Sequence, residues 1–380
     1  MNDVVPGFVA AGVACGVKES GDPDLALIAT ADGRPVPAAA VFTTNLAPAA
    51  PVQVSRAHLA ATGGYASAVV VNSGNANAAT GATGREHAER MCALVAEGIG
   101  CRPEEVLVCS TGLIGIPLPI GAVVSGIPGL VRAAQPTGFP AAARAMMTTD
   151  VSPKDVVRDG GGFTLRGIAK GAAMLAPHMA TMLAVLVTDA AFSPAELQAA
   201  LSAAVVDSFN ALSIDGATST NDTVVALAGG MAGDQAGLAT AAMADVCAEL
   251  ATLMADGAEG ATRRVLVRVR GAASADDARR AARKVAESQL VQCSLYGGDP
   301  YWGRIVSELG SAGVAFDPDR VSVAYDGTVV CRDGVATGDP APAMGRVVEL
   351  TADLGLGDGT ATVTTTDLSP EYIAENMRTS

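Results

Sequence analysis

The unbroken apolar run Met182-Leu-Ala-Val-Leu-Val187 constrains the fold more than any other feature of this chain. It has none of the polar alternation of a strand with one wet face, and it is shorter than most helices. It therefore predicts a strand covered on both sides, which requires layers above and below it. The segment leading into it reads Lys170-Gly-Ala-Ala-Met-Leu-Ala-Pro-His-Met-Ala-Thr181. Pro177 disfavours the α conformation at Ala176, and Ala180 offers a small, accessible carbonyl to the hydroxyl of Thr181.

Thr181 has two readings. In one it is a β-branched residue entering a strand. In the other it is a latent N-terminus: its hydroxyl attacks the Ala180 carbonyl, the resulting ester is hydrolysed, and Thr181 gains a free α-amino group beside its own Oγ. An α-amine with a pKa of about 7.7 to 8.0 is partly neutral near pH 7 and can take the proton of the hydroxyl. Threonine is activated in this way without a histidine. His178 is read as a loop residue.

Other strand-like runs, Leu25 to Thr30, Ala38 to Thr44, Ala68 to Val71 and Val106 to Cys109, are separated by Gly/Pro/Asp punctuation. Thr83-Gly-Arg-Glu86 has capping-box spacing and predicts a helix from about 84 to 98. Ser193-Pro-Ala-Glu196 predicts a second, with Leu197, Leu201 and Val205 as its apolar stripe. Further helices are expected over Ala141 to Met147, over Ala236 to Ala255 with Met243, Val246, Cys247, Leu250 and Leu253 inward, and from Ser274. Val265 to Val269, Val347 to Thr351 and Thr360 to Thr366 read as strands, and Asp326-Gly327 marks a hairpin. Asn72-Ser-Gly-Asn-Ala-Asn77 reads as a polar turn, and Ser208 to Thr223 as a long surface loop. Alternation of strands and helices predicts an α/β or α+β architecture.

A chain of 380 residues can build two core-sized units or one large layered domain. A formal charge of −14 with no basic run argues against nucleic acid and anionic membranes. The seven cysteines form no C-x-x-C pair, and three histidines make a metal cluster unexpected. A reducing cytosol fits this pattern. No secretory signal is read at Met1-Asn2-Asp3, and no apolar run is read as approaching the roughly 20 residues that span a bilayer. The expectation is a soluble, cytoplasmic protein acting on small molecules. A phosphate loop over Gly162 to Lys170 is rejected because Ile168 stands where a Walker lysine is required.

Several blocks carry a further signal. These are Asn72 to Asn77, Ser110-Thr-Gly-Leu-Ile-Gly115, Met146-Met-Thr-Thr-Asp150, the Lys170 to Leu183 segment, Asp215-Gly-Ala-Thr-Ser-Thr-Asn-Asp-Thr223, Ser288 to Ile305 with Tyr296 to Arg304 inside it, and the tail Asp367 to Ser380. Together they resemble the ornithine acetyltransferase (glutamate N-acetyltransferase) family, from near the N-terminus to the C-terminus. Gln292 and Tyr301 depart from the family, where lysine and asparagine are common, and one residue is missing between Asn376 and the end.

The resemblance implies an α/β layered sandwich of sheets and helices with an N-terminal-nucleophile-type arrangement. It implies cleavage between Ala180 and Thr181 into chains 1–180 and 181–380, co-folded. Thr181 is then the nucleophile and Thr111 with Gly112 the oxyanion hole. Substrate contacts fall to Thr148 (Thr149 the alternative), Lys170, Thr181, Glu259, Asn376 and Ser380 (Thr379 the alternative). The implied reaction moves acetyl from N-acetylornithine to glutamate, with acetyl-coenzyme A as a second donor in some members. It needs no cofactor or metal, and two α and two β chains form a heterotetramer. Competing readings are an amidase or aminopeptidase using the same threonine, and an uncut binding protein.

Overall fold

The computed structural model describes residues 4–174 and 182–377. They fall into two compact units, Met1–Asn210 with Thr218–Met254, and Ala211–Ala217 with Ala255–Ser380.

The first unit contains strands β1 (Phe8–Val13), β2 (Leu25–Thr30), β3 (Val36–Phe42), β4 (Tyr65–Ala66) and β5 (Ala68–Asn75). They are followed by β6 (Val106–Leu113), β7 (Lys154–Asp159), β8 (Thr164–Lys170), β9 (Leu183–Thr188) and β10 (Thr223–Ala228). Two sheets result, ordered β1-β2-β5-β6 and β4-β3-β10-β9-β8-β7. The apolar run of the sequence is β9, buried at every residue and held between antiparallel β8 and parallel β10. Residues from both sides of position 180 therefore build one sheet.

Period-2 alternation sorts the side chains of the four-stranded sheet into two layers. Ile28, Val69, Val71, Leu107 and Cys109 share a core with Ile168, Val185, Val187, Val225 and Leu227 of the other sheet. Their neighbours Leu27, Val70, Val106 and Val108 pack instead on Met91, Cys92 and Val95 of helix Gly81–Ile99 and on Ile127 and Leu130 of helix Ile120–Ala133. On the outer face of the six-stranded sheet, Gly167 lies under Val246 and Leu250 of helix Ala236–Asp256, where a Cβ would come within 2.7 and 2.9 Å of them. Helix, sheet, sheet, helix is the order of layers, as the covered strand requires.

Helix Ala236–Asp256 corrects one expectation, since it is long and apolar enough by length and composition to cross a membrane. Met243, Val246, Cys247, Leu250 and Met254 are buried at helical spacing in this unit, which is the pattern of a core helix. Leu253, expected on that inner face, is 37% exposed.

Local signals fare unevenly. Ser193 accepts from the Glu196 amide and completes its capping box, with Pro194 at the first helical position. The box expected at Thr83 does not form, because the helix starts one turn earlier, at Gly81. Thr80, its cap residue, turns its hydroxyl to Asn77 instead.

The second unit has one six-stranded sheet, built from β11 (Arg264–Ala272), β12 (Ser322–Tyr325), β13 (Thr328–Arg332), β14 (Val335–Ala336), β15 (Val347–Asp353) and β16 (Gly359–Thr366). Its order is β14-β13-β12-β15-β11-β16. Val265, Val267, Val323, Leu350 and Val363 pack against helices Ala275–Ala286, Gln289–Tyr296 and Trp302–Gly310. Ser274 caps the first of these through the Asp277 amide. Asp326 and Gly327 both take positive φ, 46° and 80°, as the predicted hairpin demands.

Candidate active site

Register brings the polar groups of the first unit together. Lys170, the last residue of β8, pairs with Leu183 at the start of β9, and Leu183 pairs with Thr223 at the start of β10. Lys170, Met182 and Asp222 thus gather at one end of the six-stranded sheet. On the four-stranded sheet, Ser73 and Gly74 of β5 pair with Thr111 and Gly112 of β6. The buried Lys170 ammonium donates to Thr111 Oγ1 at 3.1 Å.

Gly112 is fixed by its backbone. Its φ is +134°, and an added Cβ would lie 2.3 Å from the Gly74 carbonyl carbon and 2.4 Å from the Asn75 nitrogen. No larger residue fits without moving β5.

Asp150 ties the neighbouring segments. Its Oδ1 accepts from Lys154 Nζ at 2.5 Å and from the Gly171 amide at 2.7 Å, and its Oδ2 accepts from the Thr148 amide at 3.1 Å. Burial would raise its pKa, but Lys170 and Lys154 together with these hydrogen bonds hold it below the usual carboxylate value. One buried carboxylate thus locates the amide of Thr148, half-buried, and the amide beside Lys170, whereas Thr149 is exposed.

The stretch expected as a polar turn at Asn72 is instead the buried end of β5. Its side chains satisfy one another and the backbone: Ser110 Oγ donates to Asn72 Oδ1 at 2.5 Å, Asn72 Nδ2 to the Asn75 carbonyl, and Ser73 Oγ to the Ala145 carbonyl. The loop expected at the surface before Thr223 is likewise drawn inward. Asn221 Nδ2 donates to the carbonyls of Ala76 and Ser110, at 2.6 and 2.8 Å, next to Thr111. Asp150, Lys154, Asn221 and Asp222 received no role from the sequence. The signal available was a cluster of Asp and Asn between apolar strands, which also describes a solvated loop.

In the second unit Glu259 is only 7% exposed, although most glutamates in loops are solvated. It accepts from Asn376 Nδ2 at 2.9 Å, so these two sequence-predicted residues do meet. Gln292, where the family commonly has lysine, donates its amide to the carbonyls of Ile214 and Ala286 and to Thr365 Oγ1, tying helix to sheet. Ala180, Thr181, His178, Thr379 and Ser380 lie outside the described residues. No group of three or more His, Cys, Asp or Glu side chains able to hold a metal occurs among the described residues.

Known proteins match this sequence over nearly its whole length. An arginine biosynthesis bifunctional protein ArgJ from Thermobifida fusca is 44% identical over 375 residues, covering 97% of both chains. One from Geobacter sulfurreducens is 45% identical, covering 98% of both. Among solved structures, ornithine acetyltransferase complexed with ornithine from Mycobacterium tuberculosis is 39% identical over 47% of this chain and 96% of that one, with a TM-score of 0.44. The ArgJ protein from Bacillus halodurans is 31% identical over 50% of this chain and 95% of that one, with a TM-score of 0.48. The ArgJ family model itself matches residues 9–379, and with relatives this similar from end to end the chain belongs to the ArgJ family.

Proposed function

We propose that the chain cuts itself between Ala180 and Thr181 and then moves the acetyl group of N2-acetyl-L-ornithine to L-glutamate through an acetyl-Thr181 intermediate. Family membership makes it an acetyltransferase of arginine biosynthesis; the covalent route is the finer reading. The single observation that carries it is the bond from Lys170 to Thr111. It joins an expected substrate contact to an expected oxyanion donor, at the end of the sheet whose next strand begins two residues after Thr181.

In this reading Thr181 Oγ attacks the acetyl carbonyl while its own α-amine takes the proton. Thr111 and Gly112 hold the developing oxyanion. Ornithine departs, and the α-amine of glutamate takes acetyl from the threonine ester, so the kinetics are ping-pong. Lys170 grips a substrate carboxylate by charge-assisted hydrogen bonds, Glu259 the ornithine ammonium, and Thr148, Asn376 and Ser380 complete the contacts. The amide broken in N-acetylornithine and the amide formed in N-acetylglutamate have similar acyl-transfer energies, so no cofactor is drawn into the scheme.

The cut chains stay together because β9 and β10 pair with β8 and β3 across position 180, and two such pairs form a heterotetramer. The deciding experiment compares wild type with Thr181→Ala on a denaturing gel and in acetyl transfer from N-acetylornithine to glutamate. Two fragments with activity against one inactive intact chain is the expected result. An intact, active wild type removes the reading, and acetate release without glutamate assigns a hydrolase. The same assay with acetyl-coenzyme A and glutamate measures the second donor that the family resemblance implies for some members.

A further inference from the structure

We infer that Asp24 is a positioning residue for the oxyanion strand: through a loop that its carboxylate holds, and through its own carbonyl, it sets Ser73 and Gly74 of β5 against Thr111 and Gly112 of β6. The inference rests on the oxyanion role proposed above and deepens it.

Between β1 and β2 the chain turns through Cys15-Gly-Val-Lys18. Gly16 takes a φ of +97°, which a side chain would resist, and the successive amides form a concavity suited to an anion. The anion is Asp24, 0% exposed and immediately before β2. Its Oδ1 accepts from the Cys15 amide at 2.7 Å. Its Oδ2 accepts from the amides of Gly16, Val17 and Lys18 at 3.0, 2.6 and 3.0 Å. Burial would raise the Asp24 pKa, but the amides of Lys18, Cys15 and Val17 and the Cys15 thiol hold it below the usual carboxylate value. Lys18 Nζ closes the loop on the Pro23 carbonyl at 2.8 Å.

The loop bears on the oxyanion strand. A Cβ added at Gly74 would lie 3.0 Å from Lys18 Cγ and 3.3 Å from Val17 Cγ1, so these two side chains fill the space over Gly74. Gly74 in turn pairs with Gly112, whose own Cβ would strike the Gly74 carbonyl carbon at 2.3 Å. The Asp24 carbonyl accepts from the Ser73 amide at 2.9 Å, and Ser73 pairs with Thr111. One buried residue therefore braces both members of β5 that pair with the expected oxyanion donors. Donors of this kind act only when already aimed at the developing charge, and a misplacement of about 1 Å can cost on the order of 100-fold in rate. Without the brace, β5 can withdraw and Gly112 can relax from its φ of +134°.

The test follows acetyl transfer from N-acetylornithine to glutamate on the full chain after complete cleavage. Active sites are counted by the burst of ornithine released when glutamate is left out. Asp24→Asn sets an amide group against four backbone donors that a carboxylate satisfies. The kcat per active site is expected to fall at least about 10-fold, and kcat/KM by the same factor, because the lost interaction is made in the transition state and not with bound substrate. Val17→Gly uncovers Gly74 while leaving the carboxylate in place, and is expected to lower both about 3-fold. It decides if Asp24→Asn does not fold. A wild-type kcat per site, even with fewer sites or a lower melting temperature, makes the loop structural alone and overturns the proposal. A raised KM at unchanged kcat overturns it too, and both results leave acetyl transfer through Thr181 standing. A wild type that gives no ornithine burst overturns the acetyl-threonine reading, and this proposal with it.

Discussion

Lys170 reaches Thr111 from another sheet, its ammonium 3.1 Å from the threonine hydroxyl oxygen with both side chains buried. They are 59 positions apart in the chain, so the contact exists only because the two sheets pack face to face. A cation held against an expected oxyanion donor is well placed to fix that donor's hydroxyl and to attract a carboxylate.

Lys170→Met keeps most of the apolar stem and removes the charge. A hydrogen bond to a charged group is worth about 1.5–3 kcal/mol, so kcat/KM for N-acetylornithine should fall roughly 10- to 100-fold. Steady-state kinetics on fully processed enzyme make the measurement. Unchanged kcat/KM with a lowered melting temperature would mean the contact serves packing alone.

Gly112→Ala tests whether the close approach of β6 to β5 is obligatory. The new methyl would meet the Gly74 backbone at 2.3 Å, at a φ that L-residues rarely adopt. A clash with backbone that cannot rotate away should cost at least about 3 kcal/mol. That corresponds to a fall on the order of 5–10 °C in melting temperature by calorimetry. An alanine variant as stable as wild type would show that the strand moves freely.

Elements with a strong local code were legible in the sequence. Ser193-Pro-Ala-Glu196 caps its helix and Asp326-Gly327 turns its hairpin, because cap and turn chemistry act between residues a few positions apart. The strand at Leu183–Thr188 was legible because burial on both faces leaves no polar position. Asn72, Asn221 and Asp222 were not, for a physical reason. A polar side chain is stabilised inside the protein only by partners that the fold supplies, here Ser110 for Asn72 and the Ala76 and Ser110 carbonyls for Asn221. Those partners lie about 40 to 145 positions away, so no window of sequence contains them. Recognition of Thr111, Lys170 and Glu259 came from family resemblance, since local sequence alone left them as part of a glycine turn, a lysine just before a turn and a loop residue.

Glu259 and Asn376 provide a test inside the second unit. Asn376→Ala removes the amide that donates to a nearly buried carboxylate, leaving that charge with less compensation. Unpairing a buried acceptor costs about 1–3 kcal/mol. A double-mutant cycle with Glu259→Gln, read as kcat/KM for N-acetylornithine, should show coupling of at least about 0.5 kcal/mol. Strict additivity would mean the two residues act separately.

Asp150 makes the stability of the first unit depend on acid in a predictable sense. Its folded pKa lies below its ordinary value, held there against burial by Lys170, Lys154 and the Gly171 amide. A depressed carboxylate contributes stability that is fully present above the unfolded pKa of about 3.9 and is lost as pH falls through the lower folded value. The melting-temperature gap between wild type and Asp150→Asn should therefore be widest near pH 7 and shrink below about pH 4. Lys154→Met breaks the same pair from the other side. With both side chains buried, 2% and 0% exposed, removing the cation leaves the carboxylate only Lys170 and its backbone donors and should cost up to roughly 3 kcal/mol at neutral pH. Lowering the pH should recover part of that loss, because protonation of Asp150 removes the less fully compensated charge. A Lys154→Met penalty that stays constant from pH 7 to pH 3.5 would show that the lysine stem, and not its charge, supports the fold.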